Sequence, residues 1–355
     1  MSFDYDNFNS NPNFKFKEYV VEKAECLAST CQFDCYKDDD GEAYIISPYF
    51  DIDNIPKREH HISVINLKNN KVKYTLREHK DRILNTRYFQ DPYTKKHYLI
   101  SSDRLGRVLV WNLSENCKLI YDETFQYESF IYSVLLFFEE KDVIFAVVST
   151  LSIGETWVIN INEKDKKTAL KNSNDRNVYF LTYWFDENEK EHNIISCCKN
   201  KIVIDEYKSS AQKEFKTDDK HPHNLAGMVF QKEGKNYLIT SSTYGLIKVI
   251  DLDKKTEVQN IFFEEVFFYS FVKWNDQYIL LNDCLQRRIL VIDINDNFNI
   301  KSKVLCPKMF FDRFFKKIDH PLYGESILTV GIDWKIKLFV NRNIRKEIEH
   351  EEENK

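Results

Sequence analysis

The sequence predicts an all-β fold: a seven-bladed β-propeller of four-stranded antiparallel blades, its ring closed by an N-terminal strand. Three observations lead there. First, seven similar segments recur: Ile62–Leu67, Val108–Leu113, Thr156–Ile161, Ile202–Tyr207, Ile247–Leu252, Ile289–Ile294 and Ile336–Asn341. Their fifth residues, Asn66, Asn112, Asn160, Glu206, Asp251, Asp293 and Val340, follow at intervals of 46, 48, 46, 45, 42 and 47 residues. A strand-rich repeat of about 40–50 residues is the period of a propeller blade. Second, the segments are apolar on both faces. In Val108–Leu113, Val108 and Val110 point one way while Leu109, Trp111 and Leu113 point the other. Such a strand must be covered on both sides, and stacking each blade between two neighbours does this. Third, the chain has 355 residues, more than the roughly 250–300 that one core serves. Stacked repeats extend a core rather than enlarge it.

The unit is clearest in the second repeat. Arg82–Phe89 reads as the inner strand, Asp91-Pro92 as a polar loop and His97–Ser102 as the second strand. Asp103–Gly106 turns the chain into the third strand, Arg107–Leu113, and Lys118–Asp122 is the polar outer strand. The fifth repeat gives Leu225–Phe230, a turn at Glu233-Gly234, Tyr237–Ser242, a turn holding Gly245, Ile247–Leu252 and Glu257–Phe263. The sixth gives Phe267–Lys273, Tyr278–Asn282, Ile289–Ile294 and Ile300–Leu305. In the fourth, Lys199-Asn200 reads as a two-residue hairpin between Asn193–Cys198 and Ile202–Tyr207, Asn serving where positive φ is needed. Outer strands such as Lys71–Leu76 and Lys213–Lys216 alternate, as expected at a rim. The seventh blade lacks an outer strand of its own. Phe14–Val21 is expected to supply it, with Ile344–Ile348 as the competing segment. The organisation that follows is a tail over 1–13, a propeller over 14–341 and an acidic tail over 342–355.

Composition narrows the function. Aromatic residues make up 15% and the net charge is −5, with no basic stripe, so nucleic-acid binding is not expected. No stretch approaches the ~18 uninterrupted apolar residues of a membrane span, so membrane insertion is not expected either. The eight cysteines have no paired zinc spacing and read as reduced thiols in a cytoplasmic protein, with cytoskeletal or nuclear placement as alternatives. Cys31 and Cys35 lie in one apolar strand, facing one side, and read as core. His60-His61 and His221-Pro222-His223 are the tight histidine clusters; both read as polar loops, and no metal or other cofactor is expected. His79 with Asp81 or Asp103 resembles a base and its orienter, but no flanked nucleophile accompanies it, so a structural hydrogen bond is expected. Arg287-Arg288 and Arg313 with Lys316-Lys317 read as a solvated loop and strand edge.

The second repeat resembles the WD-repeat family. Thr75-Leu76-Arg77-Glu78-His79, then Ile83, then Trp111-Asn112 are similar to that family's Gly-His element, inner-strand hydrophobic and Trp-Asp pair. Gly106 and Gly245 match the turn glycine, Asp333 the acidic turn residue, and Asp251 and Asp293 the Asp of the pair. Glu78 stands for Gly and Asn112 for Asp. By count from Trp111 the turn Asp falls on Leu105, so no repeat is expected to hold the full His–Ser–Trp–Asp set. The resemblance implies a non-enzymatic scaffold binding one or more proteins within a multi-subunit assembly. A ubiquitin-ligase substrate receptor and a propeller hydrolase with a channel metal are the alternatives. It also implies that the loops before the inner strands and those between second and third strands share one face. There the first repeat carries the insertion Pro48–His61, with Tyr49, Phe50 and Arg58, residue types common at binding hot spots. Arg104, Tyr244, Arg287 and Trp334 complete the expected partner-binding set, and Lys171–Asn177 and Thr217–His223 lie on the same face.

Overall fold

A computed structural model describes residues 16–25, 33–50, 60–125, 131–140, 143–150, 155–163, 166–170, 177–216, 224–242, 245–263, 268–283, 285–305, 314–330 and 335–341. They form seven four-stranded antiparallel sheets arranged as a seven-bladed propeller. Among them no α-helix occurs, and one 3-10 turn, Leu113–Glu115, follows a third strand.

The chain opens with β1 (Phe16–Glu25). Blade 1 follows as β2 (Asp34–Lys37), β3 (Ala43–Phe50), β4 (His60–Asn66) and β5 (Lys71–Leu76). Blade 2 is β6 (Ile83–Gln90), β7 (His97–Asp103), β8 (Arg107–Asn112) and β9 (Lys118–Thr124). Blade 3 is β10 (Ile131–Glu140), β11 (Val143–Thr150), β12 (Thr156–Asn160) and β13 (Lys167–Ala169). Blade 4 is β14 (Val178–Asp186), β15 (Glu191–Cys198), β16 (Lys201–Glu206) and β17 (Gln212–Lys216). Blade 5 is β18 (Asn224–Lys232), β19 (Lys235–Ser242), β20 (Leu246–Asp251) and β21 (Thr256–Phe262). Blade 6 is β22 (Phe268–Lys273), β23 (Tyr278–Asp283), β24 (Arg288–Asp293) and β25 (Asn299–Leu305). Blade 7 takes β26 (Phe314–His320), β27 (Gly324–Val330) and β28 (Lys335–Asn341) from the end of the chain and β1 from its start.

Closure follows the expected route. β1 pairs antiparallel with β28, Phe16 opposite Asn341 and Val20 opposite Lys337, so the first strand completes the last blade. It runs to Glu25, beyond the expected Val21, while Phe14 and the rival segment Ile344–Ile348 fall outside the described residues.

The core is not one mass but seven apolar layers, one at each junction between consecutive blades. Leu109, Trp111 and Leu113 pack toward blade 1, against Ile46, Ile62 and Val64. Val108 and Val110 of the same strand pack toward blade 3, against Val134, Leu136 and Ala146. The two-faced reading of this strand is therefore the geometry of the blade. The last layer joins the ends of the ring: Phe33, Ile45 and Ile65 of blade 1 meet Leu328, Ile336 and Leu338 of blade 7. Each fully buried side chain of this kind contributes about 1.5–3 kcal/mol. Outer strands are wetter, as β5 illustrates with Val72 half-exposed.

Turn chemistry explains the repeat interval. Asn66, Asn112, Asn160, Asp251 and Asp293 end their third strands, and the side-chain oxygen of each accepts a backbone N–H from the turn that follows: Lys68 (2.9 Å), Ser114 (3.1 Å), Asn162 (2.9 Å), Lys254 (2.9 Å) and Asn295 (2.9 Å). A short acceptor held two or three residues from the N–H that it caps is an Asx turn. Glu233 and Gly234 both take positive φ, 51° and 75°, as a two-residue hairpin between Lys232 and Lys235 requires. The Lys199-Asn200 hairpin forms where expected, but neither residue is among those with positive φ. That turn is made without the left-handed residue its Asn suggested.

Candidate functional site

Blade 2 carries a buried, connected polar constellation. His79 lies in the segment entering β6, Ser101 and Asp103 on β7, and Trp111 on β8. The His79 ring bridges Asp103 Oδ2 at 3.0 Å through Nδ1 and Ser101 Oγ at 2.8 Å through Nε2. Trp111 Nε1 donates to the same Ser101 hydroxyl at 3.2 Å. Asp103 Oδ1 meanwhile accepts the N–H groups of Leu105 and Arg107, both at 3.0 Å. The expectation that no repeat holds the full His–Ser–Trp–Asp set is thus overturned, and the turn Asp is Asp103 rather than the position of Leu105. The error is one of register. Ser102 pairs with Val108, which leaves residues 103–107 as the turn between β7 and β8, and the length of that turn is what a count back from Trp111 does not capture.

Ser101, His79 and Asp103 stand in the order of a nucleophile, base and orienter, yet Ser101 and Asp103 are fully buried and the His79 ring has no exposed surface. A nucleophile must meet its substrate, and this hydroxyl is already engaged by the Trp111 N–H. The arrangement pins the entry loop of the blade to its second and third strands, and so fixes where the rim begins.

Gly106 completes this turn at φ 82°. A Cβ there would sit 2.7 Å from the Phe125 carbonyl oxygen, while the Gly106 carbonyl accepts the Phe125 N–H at 3.0 Å. Gly245, φ 83°, accepts the Phe263 N–H at 3.0 Å in the same place of blade 5. Blade 6 meets the demand of its buried turn carboxylate differently. Asp283, fully buried at the end of β23, takes Arg288 Nε at 2.8 Å and the Gln286 N–H at 3.2 Å.

The rim residues divide. Arg104 projects from the turn of blade 2, its guanidinium on Asp81 at 3.1 Å, and the neighbouring Leu105 is 56% exposed. Arg287 is exposed at φ 52° in the equivalent turn of blade 6, beside Leu285, which is 39% exposed. Tyr49 and Phe50 are not in a loop, as expected, but in β3, opposite His61 and His60 of β4. The Tyr49 ring stacks on His61 at 4.5 Å, so both the aromatic pair and the histidine pair belong to a sheet. Arg58, Tyr244, Trp334 and Asp333 lie outside the described residues, as do Cys31, Arg313, His221–His223 and the segments 171–176 and 217–223. Lys316 and Lys317 are not at a solvated edge. They sit on the inner strand β26 and line the central channel.

The described cysteines are packed, not poised. Burial pushes the Cys35 thiol up to about 12 and that of Cys117 up to about 11, while Cys197 and Cys198 lie buried in blade 4. Sequence reasoning missed Ser101, although the signal was present. Serine or threonine recurs three residues after the start of the second-strand pairing in five blades, as Ser47, Ser101, Ser196, Thr240 and Thr329.

No family model matches this chain, and no curated protein matches it by sequence. Among solved structures it is similar to a crystal structure of BBS1N in complex with ARL6DN, with a TM-score of 0.67 and 9% sequence identity. The match covers 92% of this chain and 96% of that one. At that identity the likeness shows the fold, a seven-bladed propeller.

Proposed function

We propose that this chain is a non-enzymatic protein-interaction scaffold, a divergent WD-repeat propeller working within a multi-subunit assembly in the cytoplasm, with cytoskeletal or nuclear placement as alternatives. One observation carries the reading. A closed, rigid ring presents exposed apolar side chains, Leu105 and Leu285, at the turns between second and third strands of two blades, each next to an exposed arginine, Arg104 or Arg287. A leucine half in water stabilises nothing by itself, whereas one beside an arginine on a preordered rim lowers the ordering cost of binding a protein. The His79–Ser101–Trp111–Asp103 network supports the WD-repeat assignment, because it joins the residue types that family uses at the same stations of the blade. BBS1N is itself seen with a protein bound, which supports a protein partner here.

The test is a Leu105→Asp/Leu285→Asp double variant used as bait in affinity purification with mass spectrometry. The variant should fold normally by circular dichroism and lose at least one protein that the wild type retrieves. Retrieval of every wild-type partner would remove this rim from the interface.

A further inference from the structure

The central channel is lined by the inner strands of several blades and encloses about 400 Å³. Arg87 of β6, Lys273 of β22, and Lys316 and Lys317 of β26 all contribute to its wall, with Thr182 and Ser270 adding hydroxyls. No aspartate or glutamate lines it among the described residues. The lysines have carboxylates behind them: Lys316 meets Asp34 at 3.1 Å, Lys273 meets Asp276 at 2.7 Å, and Lys317 pairs with Glu325. Arg87 has none. Its Nη1 donates to two backbone carbonyls, Val134 of blade 3 at 3.2 Å and Leu181 of blade 4 at 2.7 Å. Its guanidinium carbon stands 5.4 Å from the centre of the Phe89 ring and 5.2 Å from that of Phe180.

This geometry spends one nitrogen and leaves an edge. Nη1 is occupied, and the rings and carbonyls fix the plane. Nε and Nη2 have no hydrogen-bond acceptor among the described residues, and that edge is the one with which arginine takes two oxygens of a single anion. Burial pushes the guanidinium down to about 10, a sign that no neighbour compensates its charge in full. The three lysines keep their carboxylates, so the charge left over at the cavity is that of Arg87, and the volume admits a small anion with its remaining oxygens near the lysines.

We propose that the central channel binds a small phosphate-bearing anion, held in bidentate fashion by Nε and Nη2 of Arg87 and surrounded by Lys273, Lys316 and Lys317. This site is independent of the rim reading above, since it faces the axis rather than the outer turns.

The probe is inorganic pyrophosphate, titrated calorimetrically into the full chain, with inorganic phosphate and citrate at matched ionic strength. Pyrophosphate should bind with one-to-one stoichiometry, more tightly than phosphate, and citrate at least tenfold more weakly than pyrophosphate. Arg87→Gln should weaken pyrophosphate at least tenfold, and Lys273→Gln, at a partly exposed position, about threefold. Absence of binding by the wild type at millimolar pyrophosphate would overturn the proposal. So would equal binding of citrate, or undiminished binding by Arg87→Gln. Should Arg87→Gln not fold, undiminished binding by Lys273→Gln decides against the site.

Discussion

In blade 2 the Ser101 hydroxyl sits between Trp111 Nε1 and His79 Nε2, whereas in blade 4 the equivalent Ser196 hydroxyl is buried with no hydrogen-bond partner among the described residues. The equivalence is one of register: Ser101 pairs with Leu109 and Ser196 with Val203, each at the matching step of its second strand. What differs is the company. Two residues beyond those partners, Trp111 of β8 is replaced by Asp205 of β16. Thr240 of blade 5 repeats the blade 4 case, with Ile250 in the tryptophan's place and its hydroxyl likewise unpaired. A buried hydroxyl left unpaired costs about 1–3 kcal/mol, yet blades 4 and 5 keep the same strand order as blade 2 and share an apolar layer between them. The blade therefore stands on its ladders and its two apolar faces. The polar network is an addition that fixes one entry loop.

The sharpest way to break this comparison is to remove the hub in one blade and the idle hydroxyl in the other. His79→Ala strips Asp103 Oδ2 and the Ser101 hydroxyl of their histidine contact, leaving only the Leu105 and Arg107 N–H groups on Asp103 Oδ1 and the Trp111 N–H on Ser101, and should cost about 3 kcal/mol. Ser196→Ala removes a buried hydroxyl that pairs with nothing described and should stabilise the protein by about 1 kcal/mol. Urea midpoints of the two variants against wild type measure this. Equal losses would mean that the network contributes no more than any buried polar group.

A second pair tests whether the turn of blade 2 is tight because of the network around it. Gly106→Ala meets both a left-handed φ and the Phe125 carbonyl oxygen at 2.7 Å, and should cost about 2–3 kcal/mol. Gly234→Ala has the same backbone handicap, φ 75°, but nothing within 4 Å of the new methyl, and should cost about 1 kcal/mol. Thermal unfolding of both resolves the difference. A milder effect at Gly106 would show that the Phe125 backbone yields.

The smallest expected effect lies on the opposite rim of blade 4. His192 rests among Phe137, Phe185 and Tyr183, with the Tyr183 hydroxyl 2.7 Å from Nδ1, and burial holds its pKa below the ordinary 6.5. The unfolded chain then takes up this proton at a higher pH than the folded one. Its contribution is complete above pH 6.5 and is lost as pH falls below it. His320 of blade 7, also lowered mainly by burial, acts in the same direction. Urea unfolding between pH 7 and pH 5 should show falling stability, with a slope that flattens by a few tenths of a kcal/mol in His192→Gln. An unchanged slope would place the loss elsewhere.

Much of this fold was legible because two chemical signals repeat without help from distant parts of the chain. The third strands are apolar on both faces, and an Asn or Asp caps the turn after most of them. Both are local, so period and blade count could be read directly. The same holds for β1: an apolar N-terminal strand and a last blade one strand short are visible separately and fit together. The site was less legible, because its parts meet through register. The turn Asp was counted to Leu105 rather than Asp103 because the length of the turn between β7 and β8 is not visible before the strands are paired. Tyr49 and Phe50 were read as loop because polar residues surround them, although pairing with His60 and His61 carries the sheet to that point. Lys316 and Lys317 read as solvated because a charge run is usually so; only the closed ring brings the inner strand β26 to the axis, with Lys316 turned to Asp34 of blade 1 and Lys317 to Trp274 beside blade 6.

Every inference above requires that the ring be closed by its own first strand. Hydrogen exchange read by mass spectrometry on peptides spanning Phe16–Glu25 and Lys335–Asn341 tests this directly. Closure predicts that the amides of β1 facing β28 exchange as slowly as those of β28 itself and open together with them in denaturant. Complete exchange of Phe16–Glu25 within seconds, beside a protected Lys335–Asn341, would contradict it.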